Sequence, residues 1–309
     1  MPRWALSIYW REDGQAAWGN PKLFADERQA AHYTSADAQR FIRTLAGKLG
    51  LDGQHIQAGY EDTWYYLWRE RRLPLNVDPF DAKLDDEQER TRLRRIFKQG
   101  LDAVIGYALP LQPSPLPSDA GPGWNSGPWF LRDERLYLTP GDSPMGYRLP
   151  LDALSWVESK DYPYVIEEDP LAPRQPLPSS AQPRSAIGQS AQTKSPQPVS
   201  ANWASIRQQA PQAAPVNDQV GSGHTSDLIG SQQPPQRFES DTTTIRTALC
   251  VEVRDPRRAD GPKAEQQGQA SGLLYVFMPP LARLADYLDL LAAVEATAEQ
   301  LSVPVVLEG

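Results

Sequence analysis

The sequence predicts an α+β protein built as a mixed N-terminal module, a long disordered insert and a C-terminal β-β-α-β unit of an antiparallel sheet. Three observations predict it. Apolar residues recur at helical spacing in four stretches, and shorter β-branched and aromatic runs lie between them. A Pro-, Gln-, Ser- and Ala-rich tract with no sustained period separates the two halves. The resulting boundaries are 1–171 for the aromatic-rich module, 172–243 for the insert and 244–309 for the C-terminal unit. A chain of 309 residues has room for roughly two domains.

The first helix is expected after Thr34 and Ser35, with Ala38, Phe41, Ile42, Leu45 and Leu49 on one face and Gly50 as its stop. A second runs through 61–72 and halts before Pro74. A third starts at Asp85 or Asp86, with Glu89 in capping-box position, turns Leu93, Ile96 and Phe97 inward and ends near Gly100. Residues 103–111 read as a strand. Residues 129–138 read as a hairpin turning at Asp133-Glu134, and 139–150 as a Gly/Pro-punctuated loop. The insert, which holds Trp203 and His224, lacks the apolar surface to offset its ordering entropy. Beyond it come strands at 243–254 and 272–280, a helix at 281–301 with Leu284, Leu288, Leu291, Val294 and Leu301 near one face, and a strand at 303–308. The chain stops at Gly309 where a strand would lead onward, so an internal segment of a larger polypeptide is expected.

Composition excludes several classes of function. The 39 acidic residues outnumber the 31 basic ones, and the net charge is -8. A sequence pI near 5.1 argues against nucleic-acid binding, which needs clustered Lys and Arg. The single cysteine, Cys250, rules out an internal disulfide and a multi-Cys zinc site, and fits a reducing compartment. No apolar core of signal-peptide length precedes Arg11 and Glu12, and no apolar run is long enough to span a bilayer. A cytoplasmic protein with no membrane partner is expected.

The candidate chemistry is sparse. Cys250 lies in the apolar run TALCVEV, without the electropositive setting of a nucleophile, and reads as an ordinary sheet residue. His32 and His55 flank the first helix and make a weak metal signal. The loop GDSPMG, 141–146, could offer backbone N–H groups to an anion or serve as a plain turn. Trp64, Tyr65, Tyr66, Leu67 and Trp68 read as core, and the RERR run at 69–72 as a solvated helix end. Period-two spacing puts Ile245, Thr247, Leu249 and Val251 on one face of their strand. Arg246, Ala248, Cys250, Glu252 and Arg254 fall on the other. Glu252 is then either a cation ligand or half of an ion pair with Arg254 or Arg246.

The phrases PRWALSIYWR, YEDTWYYLWRERRLPLNVDPFDAKLDD, GLDAVIGYALPLQ, GPWFLRDERLYLTPGDSPMGYRLPLDAL, RTALCVEVRD and LYVFMPPLARLADYLDLLAAVEATAEQL resemble one family. It comprises large bacterial proteins with an N-terminal transglutaminase-like domain and a C-terminal glutamine-synthetase-like amidoligase region. The resemblance covers nearly everything outside the insert. It implies ATP-dependent joining of a carboxylate to an amine on a peptide or amino-acid substrate, with ATP and magnesium as cofactors and the rest of the parent polypeptide as partner. Glu252 as metal ligand, and Arg246, Asp142 and Arg148 as substrate or phosphate contacts, are the positions it implies. A non-catalytic scaffolding module is the alternative. A hydrolase using Cys250 ranks last.

Overall fold

The computed structural model describes residues 10–29, 32–81, 85–114, 123–162, 233–255 and 272–309. The insert expected at 172–243 therefore lies outside the described residues except for 233–243. The fold is α+β, and its centre is a six-stranded mixed sheet. In chain order the elements are α1 (Ser35–Lys48), β1 (Gln57–Glu61), α2 (Thr63–Arg71), α3 (Glu87–Gln99) and β2 (Val104–Pro110). A short ladder of β3 (Gln112–Pro113) and β4 (Trp124–Asn125) precedes β5 (Leu136–Leu138). Then come β6 (Ala248–Arg254), β7 (Leu273–Phe277), α4 (Leu284–Leu301) and β8 (Val305–Glu308). The sheet order is β5-β1-β2-β6-β7-β8, so segments from both sides of the insert share one sheet.

The helices begin and end where local chemistry directs. Asp37 accepts the Thr34 N–H at 2.9 Å at the start of α1. Asp62 caps α2 through the Tyr65 N–H, and Asp86 caps α3 through the N–H groups of Gln88 and Glu89. Gly50 and Gly100, past the ends of α1 and α3, both have positive φ. Glu89 does not complete a capping box; its carboxylate pairs instead with Arg69 and Arg92.

One sheet face packs on α1 and α4. Phe41, Ile42 and Leu45 of α1 interdigitate with Leu109, Leu249, Val251, Leu274, Val276 and the α4 residues Leu290 and Val294. Burying each such side chain is worth about 1.5–3 kcal/mol. The opposite face is covered by the segment 126–154. Trp129, Met145 and Leu154 rest there on Ala108, Leu136, Leu138, Ala248 and Cys250. The alternation read from β6 thus holds: Leu249 and Val251 face the helices, and Ala248 and Cys250 face the covering segment.

Three expectations change. The C-terminal unit is β-β-α-β, but only β6 and β7 pair antiparallel, and β8 runs parallel to β7. The reason is the crossover, because α4 carries the chain back along the sheet before β8 begins. The expected 129–138 hairpin does not form. Asp133 and Glu134 do adopt positive φ at the anticipated turn, yet β5 pairs parallel with β1, and the Trp129 indole instead donates to the Ile245 carbonyl at 2.7 Å. The aromatic run in α2 is not all core. Tyr66 is fully buried, whereas Trp64, Leu67 and Trp68, at i, i+3 and i+4, form an exposed stripe.

The borders of the insert meet. The Asp241 N–H donates to the Trp156 carbonyl at 2.9 Å. Ser240 bridges the Glu158 N–H and the Asp161 carboxylate. Asp241 also accepts from Thr243 and Thr244, fixing the approach to β6.

Candidate functional site

The second face of the sheet concentrates the polar chemistry near its β7–β8 edge. Across neighbouring strands Gly59, Gly106, Glu252 and Tyr275 stand in one row, and Phe277 pairs in register with Glu308. Glu252 is 5% exposed. Its Oε1 accepts the Met145 N–H at 3.0 Å and lies 3.3 Å from Arg254 Nε. The Arg254 guanidinium also pairs with Glu308 and sits 3.8 Å from the centre of the Tyr275 ring. Tyr275 donates its hydroxyl to Glu27 at 2.8 Å. One Glu308 oxygen, Oε2, is buried without a hydrogen-bond partner. Tyr147, largely exposed, stands edge-on to Phe277 with ring centres 4.8 Å apart.

The loop 139–150 makes this arrangement possible. Its residues 139–148 form a strap across the sheet, closed by the Thr139 N–H to the Arg148 carbonyl and by Arg148 Nε to the Thr139 carbonyl, both 2.8 Å. The Met145 side chain fills the trench over Gly59 and Gly106. A Cβ on Gly106 would lie 2.8 Å from Met145 Sδ and 2.7 Å from the Val251 carbonyl. Gly146 lies flat against the Phe277 ring, where any Cβ would overlap it. The bare backbone lets the strap descend far enough for its N–H to reach Glu252.

The four sequence-predicted positions do not converge on one place. Glu252 lies on the interior strand β6 beside Arg254. Arg148 is 7% exposed and bonds Glu61 at 2.5 Å, with Glu61 itself only 3% exposed. Asp142 is held by Arg92, at 2.8 Å, and by Arg95. Arg246 lies apart, donating to the Ser155 carbonyl and facing the Tyr162 ring at 5.9 Å. Glu252 therefore pairs with Arg254 rather than with Arg246. Sequence reading missed Glu308, Tyr275 and Glu61. Period-two spacing of Val306 and Glu308 was a usable signal, but the parallel register that brings Glu308 to Arg254 was not. Glu61 reads as the start of a helix and is in fact the last residue of β1.

Electrostatics mark Glu252 apart from its neighbours. Burial pushes its carboxyl above the ordinary range, against the pull of Arg254 and the Met145 N–H. For Asp142, burial is outweighed by the hydrogen bond from Arg92 and the charge of Arg95, and its carboxyl stays below that range. Burial drives the Cys250 thiol upward, which is the opposite of what a nucleophile needs.

The raised Glu252 carboxyl has a stability consequence. Such a group favours the fold below its unfolded titration range, near pH ~4.3, and that contribution is lost as pH rises through the folded value. Glu252→Gln is expected to stabilise the chain by about 1 kcal/mol at neutral pH, with the gain shrinking on acidification. Denaturant melts of both proteins across the carboxylate range measure this. A variant weaker than the parent at neutral pH would mean that pairing outweighs burial.

A divalent cation can be tested against these donors. Among the described residues no three His, Cys, Asp or Glu side chains gather as a metal site. Magnesium held mainly through substrate phosphates needs only one or two protein carboxylates. Glu252 and Glu308, with its unpartnered Oε2, fit that minimal mode.

Among the described residues no helix is long and apolar enough to cross a membrane. No curated protein and no solved structure matches the chain. A family model described as "Putative amidoligase enzyme (DUF2126)" matches residues 1–309, and the chain belongs to that family.

Proposed function

We propose that this chain contributes the Glu252 face of an ATP-dependent carboxylate–amine ligase acting on peptides or amino acids. The observation that carries this reading is the buried Glu252 of β6, joined through Arg254 to Glu308 on the edge strand β8, in a chain of the amidoligase family. Bound ATP with magnesium would supply the phosphoryl group that activates the carboxylate, giving amide, ADP and phosphate as products.

The chain's own residues suit different parts of that task. Glu252 and Glu308 would hold the cation. Phosphate oxygens need cationic donors, and Arg254 is the guanidinium beside this pair, with its side chain 28% exposed. Arg148 is saturated by Glu61 and the Thr139 carbonyl, and Asp142 by Arg92 and Arg95, so both suit a supporting role. The association with transglutaminase-like proteins belongs to the same reading and rests on the family resemblance, whereas a cytoplasmic setting rests on the composition.

Calorimetric titration of the chain with magnesium and ATP tests the proposal. Saturable heat is expected, with affinity falling at least about tenfold in Glu252→Ala, or ~1.4 kcal/mol. No saturable heat, or equal affinity in the variant, would sink it. The scaffolding alternative draws on the exposed Trp64, Leu67 and Trp68 of α2, and gains if titration is silent.

A further inference from the structure

Two ion-pair systems hold the strap at separate points, and neither touches the sheet-edge cluster. Arg92 and Arg95 reach from α3 to Asp142 in the strap, with Arg92 Nε 3.0 Å and Nη2 2.8 Å from Asp142 Oδ2. Arg92 also bonds Glu89 at 2.6 Å, and Glu89 accepts from Arg69 of α2 at 2.9 Å. At the strap's other end Arg148 locks onto Glu61, the last residue of β1. Between these anchors lies Met145, whose side chain is wedged over the glycine trench and whose N–H ends on Glu252.

We infer that Asp142 and Arg148 are positioning residues, which act through the strap to keep the Met145 N–H on Glu252. This rests on the reading of Glu252 as the ligand-facing carboxylate, and replaces direct ligand contact as the role of the other two. The physical case is one of constraint. Among the described residues the Met145 N–H is the backbone donor shown on Glu252, and it reaches the carboxylate at 3.0 Å. A strap released at Asp142 keeps its glycine seat but loses the pull toward α3. Its N–H then spends less time on the carboxylate.

The test uses Asp142→Asn, because Asp142 is nearly half exposed and Arg92 keeps Glu89 as a partner when it is lost. Amide exchange at Met145 is followed by NMR in the full chain. It is expected to accelerate on the order of tenfold. Asp102→Asn, which removes the exposed partner of Arg135, is the control and should leave that exchange unchanged. Arg148→Lys is a second probe, since it keeps a charge near Glu61 but cannot reproduce the guanidinium fork. It should also accelerate exchange at Met145. Unchanged exchange in Asp142→Asn would overturn the inference. Because the readout does not involve ATP, a silent calorimetric titration would remove the ligase reading and leave this result standing.

Discussion

Arg148→Met is expected to be the most destabilising single substitution at the strap, costing about 3–5 kcal/mol. The reason lies in what it leaves behind. Glu61 is 3% exposed and takes its bond at 2.5 Å from Arg148. Without the guanidinium, a carboxylate would remain in the interior with no cation against it. The Thr139 carbonyl would also lose the donor that closes the strap. Replacing both partners removes the uncompensated charge, so Glu61→Gln/Arg148→Met should recover most of the loss. Thermal melts of the three proteins decide this, with the single variant expected to melt roughly 10 °C lower. A double variant as unstable as the single one would show that the buried charge is not the cause.

Gly146→Ala should be nearly as severe, for a different reason. No charge is lost, but the new methyl would occupy the place of the Phe277 ring. Phe277 is edged by Tyr147 and paired in register with Glu308, so it has little room to turn. The strap must lift instead, drawing the Met145 N–H away from Glu252. Overpacking of this kind costs about 1–3 kcal/mol, and a shifted backbone raises the upper end. The expected signature couples lower stability with weaker magnesium–ATP binding. Phe277→Leu in the same chain should relieve part of both defects. Stability unaffected by Gly146→Ala would show that the strap rides higher on the sheet than the structure places it.

Asp142, Arg148 and Glu252 all make contacts to or within one loop, although only Glu252 stands beside Arg254. The three are linked through one loop. Asp142 and Arg148 face anchoring elements, and Met145 between them faces Glu252. Arg246 is outside this linkage. It borders the meeting point of 154–162 with 236–246 and supports that junction through the Ser155 carbonyl.

The helices were legible in the sequence because their signals are local. Thr34, Asp86, Gly50 and Gly100 act on backbone groups within one turn, and apolar spacing chose the buried face of α1. For α4 it did so only in part, since the helix is buried on most sides and Leu284, expected inward, is exposed. The alternation in β6 was equally local, and it separated Leu249 and Val251 from Ala248, Cys250 and Glu252. The stripe of Trp64, Leu67 and Trp68 shows the limit of such reasoning. Aromatic density suggested core, yet of the run only Tyr66 is fully buried there, among Leu93 and Ile96 of α3, with Tyr65 partly buried against it.

What the sequence by itself determined is the helices, the strands β2, β6, β7 and β8, and the presence of an acidic residue on the second face of β6. Only the tertiary structure decided which strands are neighbours, and strand pairing decides everything about the site. The parallel docking of β8 brought Glu308 to Arg254. The pairing of β1 with β2 and β5 made Glu61 the end of a strand and set it against Arg148. Pairing joins residues far apart in the chain through backbone hydrogen bonds that every residue can make. Side-chain patterns along one strand therefore say which face is buried, and leave open which strand will lie beside it.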